Sequence, residues 1–176
     1  MRDMNNHSTT EASAKKKAFK LYMELVASAA ARELTEAEVK ELNDVTATAN
    51  ISGYDTLLGD YFTRVGPLGV TLELPITSQH LQPWGLANGG VYASLGETAG
   101  SVAGFIAAGA KAPVVGINNN TDFYRSAKAG DTVISTAEPV HIGRTTQVWQ
   151  IVHIRAGDGK TLARTNLRLQ VLDSPK

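Results

Sequence analysis

Residues 86–104, LANGGVYASLGETAGSVAG, decide how the chain is read. The run is small and apolar and carries one full charge, Glu97, behind a Gly-Gly pair at 89–90. Taken from 89 to 110, it predicts a helix of about 33 Å. Gly96, Gly100 and Gly104 make a small-residue face on which another element's backbone can come close. A membrane span is the rival reading. Ala and Gly in place of Leu, Ile and Val, a carboxylate near the middle and the missing basic flanks argue against it. A helix of a soluble protein, buried on nearly all sides, fits better.

The segments around this helix have a different period. Residues 68–76, LGVTLELPI, read as a strand, and TSQHLQPWGLANGG as the loop that leads into the helix. Beyond it, 113–125, 131–142, 145–156 and 160–172 read as extended. In the last of these, Ala163, Thr165, Leu167, Leu169 and Val171 alternate with Arg164, Asn166, Arg168 and Gln170. That period of two belongs to a sheet with one packed face. AKAGD, HIGR and AGDGK mark the turns. A strand, one long helix and then an antiparallel meander predict an α+β fold with the sheet curled around the helix.

The N-terminal part is expected to be helical. Phe19, Tyr22, Met23 and Val26 recur at helical spacing within 11–32. Thr35 and Glu38 have the spacing of a capping box that opens a second helix. The division expected is an N-terminal tail and helical extension over 1–50 and a domain over 51–176, with the first seventeen residues or so a solvated tail.

Composition excludes several classes of function. The 17 basic and 17 acidic residues cancel, so no global field favours nucleic acid or anionic lipid. Lys15, Lys16, Lys17 and Lys20 read as a solvated basic face rather than a membrane-surface helix. The absence of cysteine removes disulfides, thiolate metal sites and a Cys nucleophile. With no apolar signal segment at the start, a cytoplasmic protein is expected. His141 and His153 lack partners at metal-ligand spacing, so no metal is expected. No Gly-x-Ser-x-Gly elbow is present either.

The chemistry then centres on Glu97. On a helix it shares a face with Gly90, Ala93, Ser94, Ser101 and Gly104, small residues that leave room for a ligand. Burial there would raise its pKa and make it a competent general base or nucleophile. Asn88, Gly89 and Gly90 open the helix, where N–H groups and the dipole favour developing negative charge. Without a Cβ, Gly89 lets a substrate carbonyl approach its N–H. One such donor is worth about 10²–10³ in rate.

PWGLANGGVYASLGETAGSVA resembles the hotdog-fold acyl-CoA thioesterases of the phenylacetate-pathway and 4-hydroxybenzoyl-CoA thioesterase group. The likeness extends over roughly 58–172 and includes FYRSAKAGD and GRTTQVWQIVHIRAGDGKTLAR. It implies hydrolysis of an acyl- or aroyl-CoA thioester, with CoA only as part of the substrate and no other cofactor. Glu97 matches the catalytic carboxylate, as general base or nucleophile, and Gly89 the N–H that polarises the carbonyl. Gln82 matches a residue near the thioester, and Ser101 one that places water or the leaving group. Asn88 stands where the family more often has His, which implies altered tuning. The resemblance also implies a site between subunits, hence a homodimer, often paired into a tetramer.

Substrate-binding candidates are His80, Trp84 and Gly90 near the loop and helix start, with Arg125 and the Arg144–Thr145–Thr146 turn for CoA phosphates. The turn residues fit an ordinary strand start equally well. Trp84, Phe123, Tyr124 and Trp149 are candidate walls of an acyl pocket, and each fits a core position as readily. Two other readings remain at this point: a dehydratase of the same fold using His80 with Glu97, and a non-catalytic acyl-CoA sensor.

Overall fold

The computed structural model describes residues 4–48 and 53–172. Three helices come first: α1 (Met4–Ala29), α2 (Glu36–Thr48) and the short α3 (Tyr54–Leu58). Strands β1 (Tyr61–Gly66) and β2 (Gly69–Pro75) lead to the central helix α4 (Gly89–Ala107). Then follow β3 (Val114–Phe123), β4 (Thr132–Ile142), β5 (Thr146–Arg155) and β6 (Thr161–Val171). All six strands form one antiparallel sheet in the order β1-β2-β4-β5-β6-β3, and α4 lies against its inner face.

Helix α4 packs through its glycines, though not against another backbone. A Cβ on Gly96 would stand 2.7 Å from Thr165 Cγ2, and one on Gly100 would stand 2.5 Å from Leu167 Cδ2. A Cβ on Gly104 would overlap Leu169. Four helical residues rise about 6 Å and two strand residues about 6.7 Å. The three glycines therefore run in step with alternate side chains of β6.

Three expectations need correction. The first seventeen residues, expected as a solvated tail, are helical from Met4 onward, where α1 begins. The Ala, Glu, Lys and Met that follow are strong helix formers and extend the helix backwards. Secondly, α3 and β1 were not anticipated, because five or six residues are too few to display a period. Thirdly, only β4, β5 and β6 form a meander. β3 pairs with β6, and β4 pairs with β2, so AKAGD belongs to a crossover rather than a hairpin.

The N-terminal helices share the core of the sheet. Leu25, Val26, Ala29, Leu34, Val39 and Leu42 belong to the same buried cluster as α4 and the strands. The capping box at α2 is present: Glu38 N donates to Thr35 Oγ1, and Thr35 N to Glu38 Oε2. Residues 49–52, where the boundary was expected, lie outside the described residues.

Candidate active site

Glu97 is half-buried, on the flank of α4 that faces β3. Its Oε2 accepts a hydrogen bond of 2.9 Å from Asn119 Nδ2. The same amide donates to the Ala93 carbonyl at 3.0 Å. Its Oε1 rests on Gly116, where any Cβ would overlap it.

A bulge in β3 creates this seat. Gly116 pairs with Leu169 and Asn119 with Leu167, and the register slips between Gly116 and Asn118. In a regular strand, residues three apart point to opposite faces. The extra residue restores both to the face that α4 covers, which is how bulges re-aim side chains. Glu97 thus sits at the rim of the apolar region with an amide donor, not inside an enclosed apolar site as the sequence suggests. Gly104, expected on the same face, points instead at Leu169 and Gln147.

A second group gathers at the start of α4. Gln82, Gly89, Tyr92, Phe123, Tyr124 and Arg125 line an open cleft of about 420 Å³. Gly89 is the first residue of α4, so its N–H has no acceptor within the helix. The space left by its missing Cβ is taken by the Phe123 ring, 2.8 Å from where that Cβ would be. Gln82 Oε1 accepts from Trp84 N at 2.7 Å, and Arg125 donates to the Thr161 carbonyl at 2.9 Å.

The remaining candidates lie elsewhere. Asn88 is the N-cap of α4, its Oδ1 accepting from Gly90 N at 2.8 Å. With Gly90 and His80 it borders a different cleft, of about 450 Å³. His80 Nδ1 accepts from Thr77 N at 3.0 Å, and its Nε2 donates to the Leu58 carbonyl at 2.9 Å. Both ring nitrogens are thus committed, which leaves the dehydratase reading without its base. Ser101 faces a groove walled by Phe19, Tyr22 and Met23 of α1.

Trp84 is 85% exposed. Trp149 is core, its Nε1 donating to Gln147 Oε1. Arg144, Thr145 and Thr146 stand at the other end of the sheet from the Gly89 cleft. Thr146 pairs with Gln170 and Gln170 with Val115, whereas Phe123 pairs with Ala163. One chain therefore does not bring that turn to Gln82 and Gly89.

Asn119 and Gly116 were missed in the sequence. INNNTD reads as a polar stretch, and the bulge that aims Asn119 has no local signature. Among the described residues no group of three or more His, Cys, Asp or Glu could hold a metal ion. No helix among them is long and apolar enough to cross a membrane.

Residues 85–163, which hold Glu97, Gly89 and the β3 seat, match the family model of the Thioesterase superfamily. A Mycobacterium tuberculosis protein named as an esterase is 40% identical over 135 residues, covering 74% of this chain and 95% of that protein. The chain belongs to the thioesterase superfamily. The solved structure of the Mycobacterium tuberculosis protein superposes on this superfamily member with a TM-score of 0.67 at 38% identity, covering 70% of this chain and 99% of that one. The proofreading thioesterase EntH of Klebsiella pneumoniae is 35% identical over 121 residues, covering 69% of this chain and 82% of its own. A thioesterase structure from Haemophilus influenzae matches at 30% identity and a TM-score of 0.67, covering 77% of this chain and 90% of that chain. The architecture is that of the hotdog fold, as the sequence resemblance implied.

Proposed function

We propose that this chain hydrolyses an acyl- or aroyl-CoA thioester to the free acid and CoA, with Glu97 as general base or nucleophile. The observation that carries the reading is the Glu97 carboxylate, which lies on the helix that starts at Gly89 and is held on Gly116 by the Asn119 amide of β3. A thioester carbonyl accepting from the Gly89 N–H is polarised, and negative charge developing on its oxygen is met by the positive end of the α4 dipole. Water deprotonated by Glu97 attacks the carbonyl carbon, the CoA thiolate leaves and takes up the proton, and the acid is released. If Glu97 itself attacks, loss of the thiolate leaves a mixed anhydride on Glu97, which water then cleaves to the acid and the free carboxylate.

Within one chain the two groups are eight helical residues apart, about 12 Å along the axis. Reacting atoms need to approach to about 3–3.5 Å. A second copy closes the gap. β3 is an edge strand, ten residues long and exposed through most of its length. Such an edge invites pairing with another chain. Antiparallel pairing of two β3 strands about an axis at Asn120, with Ile117 bulged out of register as it is against β6, puts Gly116 of one copy opposite Phe123 of the other. Glu97 of one copy then faces the Gly89–Gln82 cleft of the other. This homodimer is part of the proposal.

The test is thiol release from a panel of short, long, branched and aromatic acyl-CoAs, compared between wild type and Glu97→Gln. The chain has no cysteine and adds no thiol background. Turnover that falls at least ~100-fold in Glu97→Gln is expected. Tight acyl-CoA binding without turnover in either protein would make this a sensor and overturn the reading.

A further inference from the structure

Five polar residues are buried among those described, and three of them, Ser135, His153 and Thr165, lie on one hydrogen-bonded line. The line crosses the sheet under α4, one strand at a time. Ser135 Oγ on β4 lies 2.8 Å from His153 Nδ1 on β5. His153 Nε2 lies 2.9 Å from Thr165 Oγ1 on β6, which lies 2.8 Å from Thr121 Oγ1 on β3. Thr121 donates to Asn119 Oδ1 at 3.1 Å, and Asn119 Nδ2 donates to Glu97.

Proton counting fixes the direction of every bond. The Asn119 amide nitrogen faces two acceptors, Glu97 Oε2 and the Ala93 carbonyl, so its oxygen must face Thr121. Thr121 has one hydroxyl proton, given to that oxygen, and so accepts from Thr165. Thr165 has then spent its own proton and accepts from His153 Nε2–H. Nδ1 is left as the acceptor for the Ser135 hydroxyl. Burial holds the imidazole neutral, lowering its pKa to about 3, so one tautomer serves the line throughout the neutral range. Gly96 allows α4 to close directly over Thr165. Donors aligned head to tail in a dry interior polarise one another.

We propose that Ser135, His153, Thr165 and Thr121 are positioning residues, which lock the Asn119 amide with its N–H toward Glu97 and thereby hold the Glu97 carboxylate in place. The proposal rests on Glu97 being the reacting carboxylate. Without the Thr121 proton, the Asn119 oxygen loses its donor, and the amide is positioned only by the two acceptors that its N–H groups face, which loosens its hold on the carboxylate.

The test compares Thr121→Val, Thr121→Ser and Glu97→Gln on benzoyl-CoA and hexanoyl-CoA, with thermal unfolding to confirm folding. Thr121→Val is expected to lower kcat about 10-fold with KM within about twofold, Thr121→Ser to restore it, and Thr121→Val to add nothing to Glu97→Gln. Ser135→Ala, at the far end, is expected to lower kcat by a smaller factor. Long-range proton–nitrogen NMR of the wild type is expected to show His153 protonated at Nε2. An Nδ1–H tautomer, or wild-type kcat in Thr121→Val while Glu97→Gln is inactive, overturns the positioning role and leaves Glu97 as the reacting group. Full turnover by Glu97→Gln overturns both.

Discussion

Gly116 has no side chain, and Glu97 Oε1 occupies the space a methyl group would take. The overlap falls on the end of a flexible side chain, so Gly116→Ala is expected to move Glu97 rather than unfold the sheet. The carboxylate would leave its bond to Asn119, and kcat/KM on the best acyl-CoA is expected to fall at least about 10-fold, with the urea midpoint nearly unchanged. Unchanged turnover would mean that the seat at Gly116 has no catalytic role. Asn88 differs in kind. As the N-cap of α4 it has a structural task that any family-typical replacement would also have to perform.

At the scale of elements, the small-residue face of α4 is a register device. Gly100 sits with Leu167 on one side and Ile151 on the other, at 2.5 and 3.3 Å from an added Cβ. Both neighbours are fully buried, so neither can swing into solvent. Gly100→Ala is expected to lower the unfolding free energy by about 1–3 kcal/mol, read from denaturant titration. A neutral or stabilising result would show that helix and sheet slide past each other freely. Helix α4 and strands β2 to β6 were legible because each is long enough to show its period. The order of the strands was not, because periodicity fixes what an element is and not what it pairs with. For the same reason Glu97 and Gly89 stood out as local oddities. Asn119, Gly116 and the His153 line depend on pairings between residues far apart in the chain, as Thr121 with Thr165 and Gly116 with Leu169, and on one bulge.

At the scale of the whole molecule, two of the described residues, the buried His153 and the half-buried Asp60, act on stability with opposite sign. His153, in the middle of the sheet, is pushed by burial down to about 3. Asp60, next to β1, is pushed up to about 7, by burial first and then by the carboxylate of Asp55. Between pH 6.5 and 3 the unfolded chain protonates His153 and the folded chain does not. Stability from this group is full above 6.5 and declines as pH falls, with a limiting slope of about 1.4 kcal/mol per pH unit. Between 3.8 and 7 the folded chain keeps the Asp60 proton that the unfolded chain releases. Its contribution is full below 3.8 and is lost as pH rises through 7. The two slopes oppose each other from about pH 4 to 6.5, so wild-type stability is expected to vary little there and to drop below pH 4. Asp60→Asn removes one slope and leaves the other. Its urea midpoint is expected to equal or fall below wild type at pH 4.5 and to exceed it at pH 7.5, since the variant no longer buries a charge. A parallel offset at both pH values would show that Asp60 keeps an ordinary pKa and that the cluster with Asp55 is solvated.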